Sequence, residues 1–409
     1  MDTNNYFDLK IIPGLIELIN NPNEQENISL KLNKQKYNDY TTISYNKSLL
    51  TNETNQTYGL CRSIVVNSKN KVVAFSPTKS VDCGEFIKLF PDKTDHLIAQ
   101  EFIDGTMVNV FWDQDKETDG GWEISTKNVV GGNTSFFNCD PPKTYNEMFT
   151  EAMTLNNLYL DMLNKQFCYT FVLQHPYNRI VAPISNPQLY LVAVYQIINV
   201  IDEKSNDFNN KLQNVMVYPC DLEYIKQYGM WTWTGVKFPE IYNDWNNYDD
   251  LINKYAGINT PYNIQGVVIF NSLTNMRCKF RNPQYEVVKK LRGNQPKLQY
   301  QYLILKKEGN INNYLNYYPE HISEFNLINN NINLFIKTLY DNYINFYIKK
   351  DNITPFHYKT HMFNLHNIYI TQLKPNNLYV TPLIVTKYVE DLHPSQLMSM
   401  LNYFKYTLS

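Results

Sequence analysis

Glycine is scarce in this chain, 14 in 409 residues, and cysteine is scarcer, with six. The thiols Cys61, Cys83, Cys139, Cys168, Cys220 and Cys278 are dispersed and form no C-x-x-C pair. That spacing gives no support to a zinc ribbon or a disulfide framework, and it suits small, mostly buried residues of a reducing compartment. Of the histidines only His357, His361 and His366 fall close together, and without cysteine partners they read as ordinary loop and helix residues. Apolar runs are short: the longest, Leu189 to Ile201, is broken by Tyr, Gln and Asn, well under the ~20 residues of a membrane span. The opening Met-Asp-Thr-Asn-Asn is no basic leader. A cytoplasmic protein with no membrane partner is expected. Positive charge is not in excess either, since the net charge is −2. A generally basic nucleic-acid coat is therefore excluded, and any nucleic-acid binding must come from a local patch.

What is present is apolar and aromatic. With 43% hydrophobic residues the chain is globular, and its length suffices for two or three cores. Heavy use of Asn, Ile, Lys and Tyr, with 33 tyrosines, points to an A+T-rich genome such as those of many large DNA viruses, with a viral factory or virion then a further expected location.

The most informative stretch is Ile98 to Trp112, where Phe102-Ile103-Asp104-Gly105 lies between apolar runs. Alone, Asp104-Gly105 reads as a tight turn. Its surroundings add more. Upstream, Tyr58 to Asn67 and Lys71 to Lys79 read as two strands joined by the turn Ser68-Lys69-Asn70. Downstream come Trp122 to Lys127, Tyr169 to Val181, Ile264-Gln265-Gly266-Val-Val-Ile-Phe, and Cys278-Lys279-Phe280-Arg281.

In order and spacing this series, over roughly residues 56 to 300, resembles the RNA-ligase nucleotidyltransferase family of the bacteriophage T4 RNA ligase 1 type. In that family a KxDG strand carries a lysine whose amine attacks a nucleotide α-phosphate, giving a lysyl-nucleotide. The resemblance implies phosphate-binding roles for Arg62, Lys79, Lys127, Lys279 and Arg281, with Asp104 in the same nucleotide site. Taken singly, each cation reads equally as a solvated surface charge. Ser63 replaces a family glycine, and three departures bear on chemistry. Phe102 stands at the nucleophile position and has no lone pair to offer. Val172 and Gln265 stand where the family has glutamates, so two carboxylates that help hold Mg²⁺ are missing. An offset of one residue, with Glu123 serving instead of the missing acid, is the alternative.

The resemblance implies an α+β fold: antiparallel sheets with flanking helices, then a mainly helical C-terminal domain. The domains are expected at 1–55 (a cap segment), 56–300 and 301–409. Within them, Leu9 to Ile19 reads as a short helix interrupted by Pro13 and Gly14, residues 202 to 211 as a solvated loop, and Tyr242 to Tyr255 as a helix. Trp231 and Trp233 alternate with Thr as on a strand. From Pro319, Phe325, Ile328, Ile332, Phe335, Leu339, Tyr343 and Phe346 form one helical stripe, and a second helix runs from Pro394 through Leu397, Leu401 and Phe404.

The functional expectation is a catalytically inactive RNA-ligase-like protein that keeps a cationic pocket for an RNA end or a nucleotide, with ATP as a weak ligand and Mg²⁺ lost. One rival is an interaction or structural protein using only the scaffold, virion-associated or partnered through the C-terminal helices. The other is an active ATP-dependent ligase with an unconventional nucleophile.

Overall fold

Strands dominate the first two-thirds of the chain, and they follow one another as β1 (Phe7–Asp8), β2 (Leu32–Tyr37), β3 (Tyr40–Tyr45), β4 (Ile64–Asn67), β5 (Val72–Phe75), β6 (Leu97–Glu101), β7 (Thr106–Asp113), β8 (Gly121–Ser125), β9 (Phe167–Gln174), β10 (Gln188–Asp202), β11 (Lys211–Pro219), β12 (Ile241–Tyr242), β13 (Gly266–Asn271) and β14 (Arg277–Arg281). The computed structural model describes residues 5–21, 31–137, 142–202, 211–351 and 356–403. Two compact units emerge from the chain's contacts, Met1–Lys289 and Lys290–Ser409.

In the first unit the strands form three sheets, ordered β1-β11-β10-β9-β7-β8, β12-β6-β13-β14 and β2-β3-β4-β5, with antiparallel pairing throughout. Turn chemistry sets the register. Between β4 and β5 the Asn67 side chain accepts from the Lys69 and Lys71 N–H groups at 3.0 Å each, and Asn70 takes φ 57°, which its short polar side chain tolerates. Asn271 does the same work between β13 and β14, accepting from Leu273 and Thr274.

Alternation along a strand sends successive side chains to opposite faces. On the β12-β6-β13-β14 sheet, Leu97, Ala99, Val267, Ile269, Cys278 and Phe280 join a core with Phe86 from the helix Cys83–Leu89, Tyr248 and Leu251 from the helix Tyr248–Tyr255, and Trp245 from the segment before it. The opposite face then carries Ile98, Gln100, Val268, Phe270, Arg277, Lys279 and Arg281. This face builds the site.

The expected turn at Asp104-Gly105 is no hairpin. β6 and β7 belong to different sheets, so residues 102–105 carry the chain from one sheet to the other. Gly105 has φ +148°, and a Cβ there would stand 2.5 Å from the Leu173 carbonyl oxygen, so close approach of β9 demands glycine.

Some local expectations change. Leu9 to Ile19 is a 3₁₀ turn, Leu9–Ile11, and a separate helix, Leu15–Asn20, because Pro13 and Gly14 break it. Tyr242 ends the edge strand β12, and the helix begins only after the Asn247 cap, at Tyr248. Trp231 and Trp233 lie in a 3₁₀ turn, Gly229–Trp233, not on a strand. With three residues per turn, positions two apart face different ways. Trp231 is accordingly buried, and Trp233 is 79% exposed. The expected loop at 202–211 falls outside the described residues except for its ends, Asp202 and Lys211, which close β10 and open β11.

The second unit is helical. Pro319–His321 is a 3₁₀ turn leading into Ile322–Tyr343, which buries Phe325, Ile328, Ile332, Phe335, Leu339 and Tyr343 at the expected spacing. Phe346 follows in a π-helical turn, Ile344–Ile348. The last helix is Pro394–Leu401, and Phe404 lies outside the described residues. His361 and His366 bond to the Tyr388 and Tyr343 hydroxyls, roles within the helical core. Among the described residues no helix is long and apolar enough to cross a membrane.

Candidate functional site

Strand pairing fixes the site's rows. Gln100, Val268 and Lys279 are direct partners across β6, β13 and β14, and the next row joins Gly266 to Arg281. Phe102 extends the ladder past β6, its N–H donating to the Gly266 carbonyl at 3.1 Å. Gly266 has φ +129°, and a Cβ there would lie 2.1 Å from the Phe280 carbonyl oxygen. No side chain therefore separates Phe102 from the cations of β14. Lys279 Nζ lies 4.2 Å from the centre of the Phe102 ring, and the Arg281 guanidinium carbon lies 5.7 Å from it.

Further cations converge on the same face. Arg277, two residues before Lys279, donates from Nε to the Thr78 carbonyl at 2.9 Å and from Nη2 to Pro77 at 3.5 Å. Arg62 reaches the same Pro77 carbonyl at 3.5 Å, from the turn that follows the 3₁₀ segment Tyr58–Leu60. Lys127 sits with its ammonium 5.1 Å from the Tyr45 ring centre. Its pKa is lowered, by burial first and then by Arg62 and Lys47. Burial likewise lowers that of Arg62 and takes that of Arg277 down to about 10, with Arg62 contributing.

Lys279 is the extreme case. Burial, then Arg277, Arg62, Arg281 and Lys289, push its pKa down to about 5. Among the described residues no carboxylate pairs with it. The Phe102 ring favours the charged form, but a desolvated cation over an aromatic face gains only about 2 kcal/mol. At 1.36 kcal/mol per tenfold change that returns about 1.5 in pKa. The amine remains far below the ordinary lysine range, and it is substantially uncharged at neutral pH.

The other expected site residues are placed differently. Lys79 turns its ammonium back to the Ser80 carbonyl, 3.4 Å away, and is not among the cations acting most strongly on Lys279. Arg281 is exposed and paired with Glu286 at 2.7 Å. Asp104 is buried, and its carboxylate is taken up internally: Oδ2 accepts from the Val181 and Ala182 N–H groups at 3.1 and 2.9 Å, and Oδ1 from the Tyr285 hydroxyl at 2.8 Å.

Val172 lies on β9 against Gly105, one of its methyls 2.7 Å from where a Cβ would be. Gln265 is buried just before β13. Glu123 pairs with Lys116 on β8 at 2.9 Å. Among the described residues no three His, Cys, Asp or Glu side chains are grouped to hold a metal ion. The groups at 172 and 265 do not fit a divalent cation, which prefers carboxylate oxygens.

Arg277 is the residue that motif reading missed. The signal was available: on a strand, residues 277, 279 and 281 share one face. Arg277 also walls a cavity of about 430 Å³ that opens between this sheet and β10. Gln100, Val268 and Phe270 line one side, Ala193, Val194 and Tyr195 the other. The volume suits a nucleoside-sized group.

A second amine on this face is expected to be tolerated poorly. Phe102→Lys removes the ring from beside Lys279 and places a like charge beside Arg281, and a loss of roughly 1–2 kcal/mol in urea unfolding is predicted. An unchanged midpoint would show an open, hydrated face.

No family model matches the chain. A curated "RNA ligase" of Rhodothermus phage RM378 is 32% identical over 106 residues, which is 24% of this chain and 22% of the phage protein. The match thus spans about a fifth of that relative's length. Among solved structures, a Naegleria gruberi RNA ligase, as a lysine-to-alanine variant with ATP and Mn, aligns with 53% of this chain and 58% of its own at 13% identity and a TM-score of 0.37. A lysine-to-methionine variant of the same ligase, with AMP and Mn, gives 12% identity over 51% and 56%, with a TM-score of 0.35. At such scores nothing about this chain rests on the structural likenesses. Over the segment shared with the phage protein, the sequence is RNA-ligase-like.

Proposed function

We propose that the chain is an RNA-ligase-like protein that holds a phosphate-bearing ligand, an RNA 5′ end or a nucleotide, on the cationic face, and does not form a lysyl-nucleotide at position 102. The observation that carries this reading is the gathering of Arg277, Arg62 and Arg281 around Lys279, which lies over the Phe102 ring, with no carboxylate among the described residues paired to that amine. Like charges drawn together in a partly desolvated space repel one another, and a polyanion relieves that repulsion. The adjoining cavity gives a nucleoside somewhere to sit. The sequence similarity to a phage RNA ligase supports the ligand class. Phe102 supplies no nucleophile, and Val172 and Gln265 supply no carboxylate, so binding need not await a divalent metal.

The test is titration of the full chain with ATP and with a short 5′-phosphorylated RNA in EDTA. Binding is expected at low salt and weakens as salt rises, because the contacts are to phosphate. Lys127→Ala combined with Arg281→Ala is expected to weaken it about tenfold, the worth of one to two charge-assisted contacts. Absence of binding at low salt, or a double variant that binds as well as the parent, overturns the reading in favour of a scaffold without a ligand.

A further inference from the structure

We propose that Lys279 takes the nucleophile's place, its Nζ set beside the Phe102 ring to attack the α-phosphorus of a nucleoside triphosphate held on the cationic face. The inference rests on the phosphate-binding reading and goes beyond it, since it makes the pocket reactive.

Place and state both favour this amine. Of the lysines around the site, Lys79 turns to the Ser80 carbonyl, Lys127 lies over Tyr45, and Lys289 lies 5.8 Å from the Tyr285 ring centre. Lys279 is the one against Phe102. Its backbone is held in the ladder opposite Val268, and the Cys83 thiol donates to its carbonyl oxygen at 3.2 Å. The side chain thus springs from a rigid strand, as a nucleophile requires. Burial, then Arg277, Arg62 and Arg281, disfavour its charged form by more than the ring favours it, so a lone pair is present at neutral pH. The phenyl ring that cannot react is the surface against which its neighbour is set.

In the step itself, the Nζ lone pair forms an N–P bond to the α-phosphorus. The bond from that phosphorus to the bridging oxygen breaks, and pyrophosphate leaves with the electron pair. The amine proton passes to solvent. The product is a phosphoramidate, a nucleotide joined to Lys279. Negative charge builds on the leaving oxygens, and fixed guanidinium groups, always charged, are suited to stabilise it.

Full-length protein incubated with α-labelled ATP, in Mg²⁺ and separately in EDTA, is expected to carry label that survives denaturation, resists base and is lost in acid. Mass spectrometry should place it on Lys279. Lys279→Arg supplies a donor without a nucleophilic lone pair and is expected to abolish the label, while Lys226→Ala, at a surface lysine paired with Glu223, retains it. A parallel titration measures ATP binding. Bound ATP without label, or label on another residue, overturns the proposal and leaves the binding reading intact. Failure of ATP to bind overturns the proposal, and failure of both ATP and the 5′-phosphorylated RNA to bind overturns the binding reading as well. A second measurement needs no variant: pyridoxal 5′-phosphate at pH 7, trapped with borohydride, should modify Lys279 ahead of the other lysines. Modification spread evenly over surface lysines would show that the amine is not set apart, and would overturn the proposal whether or not the Lys279→Arg protein folds.

Discussion

Replacing Lys279 with methionine is expected to stabilise the protein at pH 7, by about 2–3 kcal/mol in urea unfolding. In the unfolded chain the amine titrates near its ordinary value of 10.5, and in the fold it is pushed down to about 5, by burial first and then by Arg277, Arg62, Arg281 and Lys289. Between those values the unfolded state binds more protons than the folded one, so stability rises with pH across that window. The penalty is absent above about 10.5, grows as pH falls, and is complete below about 5. Linkage over that window down to pH 7 gives at most roughly 5 kcal/mol, and the attraction of the ring for a cation reduces it. Methionine fills the same length without a charge. The gain of the variant over the parent should therefore be large at pH 6 and fade towards pH 10. A variant no more stable than the parent at pH 7 would show that the amine is solvated and charged, and would weaken the case for a special site. A residue that costs stability where it stands is the mark of a site kept for something other than folding.

The parts of the fold that were legible in the sequence are those set by periodicity. The stripe from Phe325 to Tyr343 is buried as its spacing requires, and the turn at Ser68-Lys69-Asn70 follows from the Asn67 side chain. Short aromatic segments were less legible, because the same residues suit a strand, a 3₁₀ turn or a helix. Trp231 and Trp233 went one way for packing reasons that lie elsewhere: the Trp231 ring meets Tyr169 and Phe238, far from it in sequence or across a turn.

The site shows the same division. Lys279 and Arg281 could be placed on one strand face from their spacing alone. That Arg277 belongs with them is fixed by carbonyls of Pro77 and Thr78, some two hundred positions away, which no local pattern reveals. Nor could the sequence say that Lys279 would have no acid paired with it among the described residues. Its surroundings are assembled from β6, β13, β14 and the turn bearing Arg62, and what is missing there is visible only once these meet.

Asp104→Ala is expected to cost about 4 kcal/mol, and to do so without any ligand present. The carboxylate is buried and accepts from two backbone N–H groups, of Val181 and Ala182, and from the Tyr285 hydroxyl. Alanine takes the Asp104 oxygens away from all of these donors, and each such loss costs roughly 1–3 kcal/mol, partly relieved by entering water. Asp104→Asn should fall between parent and alanine, since an amide offers one oxygen and turns N–H donors towards N–H donors. Tyr285→Phe removes the bond to the Asp104 Oδ1 and should cost about 1–2 kcal/mol. The position matters beyond stability, because Asp104 lies in the crossing between two sheets, two residues from Phe102. Loosening it should free the ring that packs against Lys279 and weaken nucleotide binding along with the fold. Urea unfolding of the three variants, each paired with ATP titration, checks both effects. A Asp104→Ala protein within 1 kcal/mol of the parent would show the carboxylate to be dispensable to folding, and would return it to the list of groups free to serve a ligand.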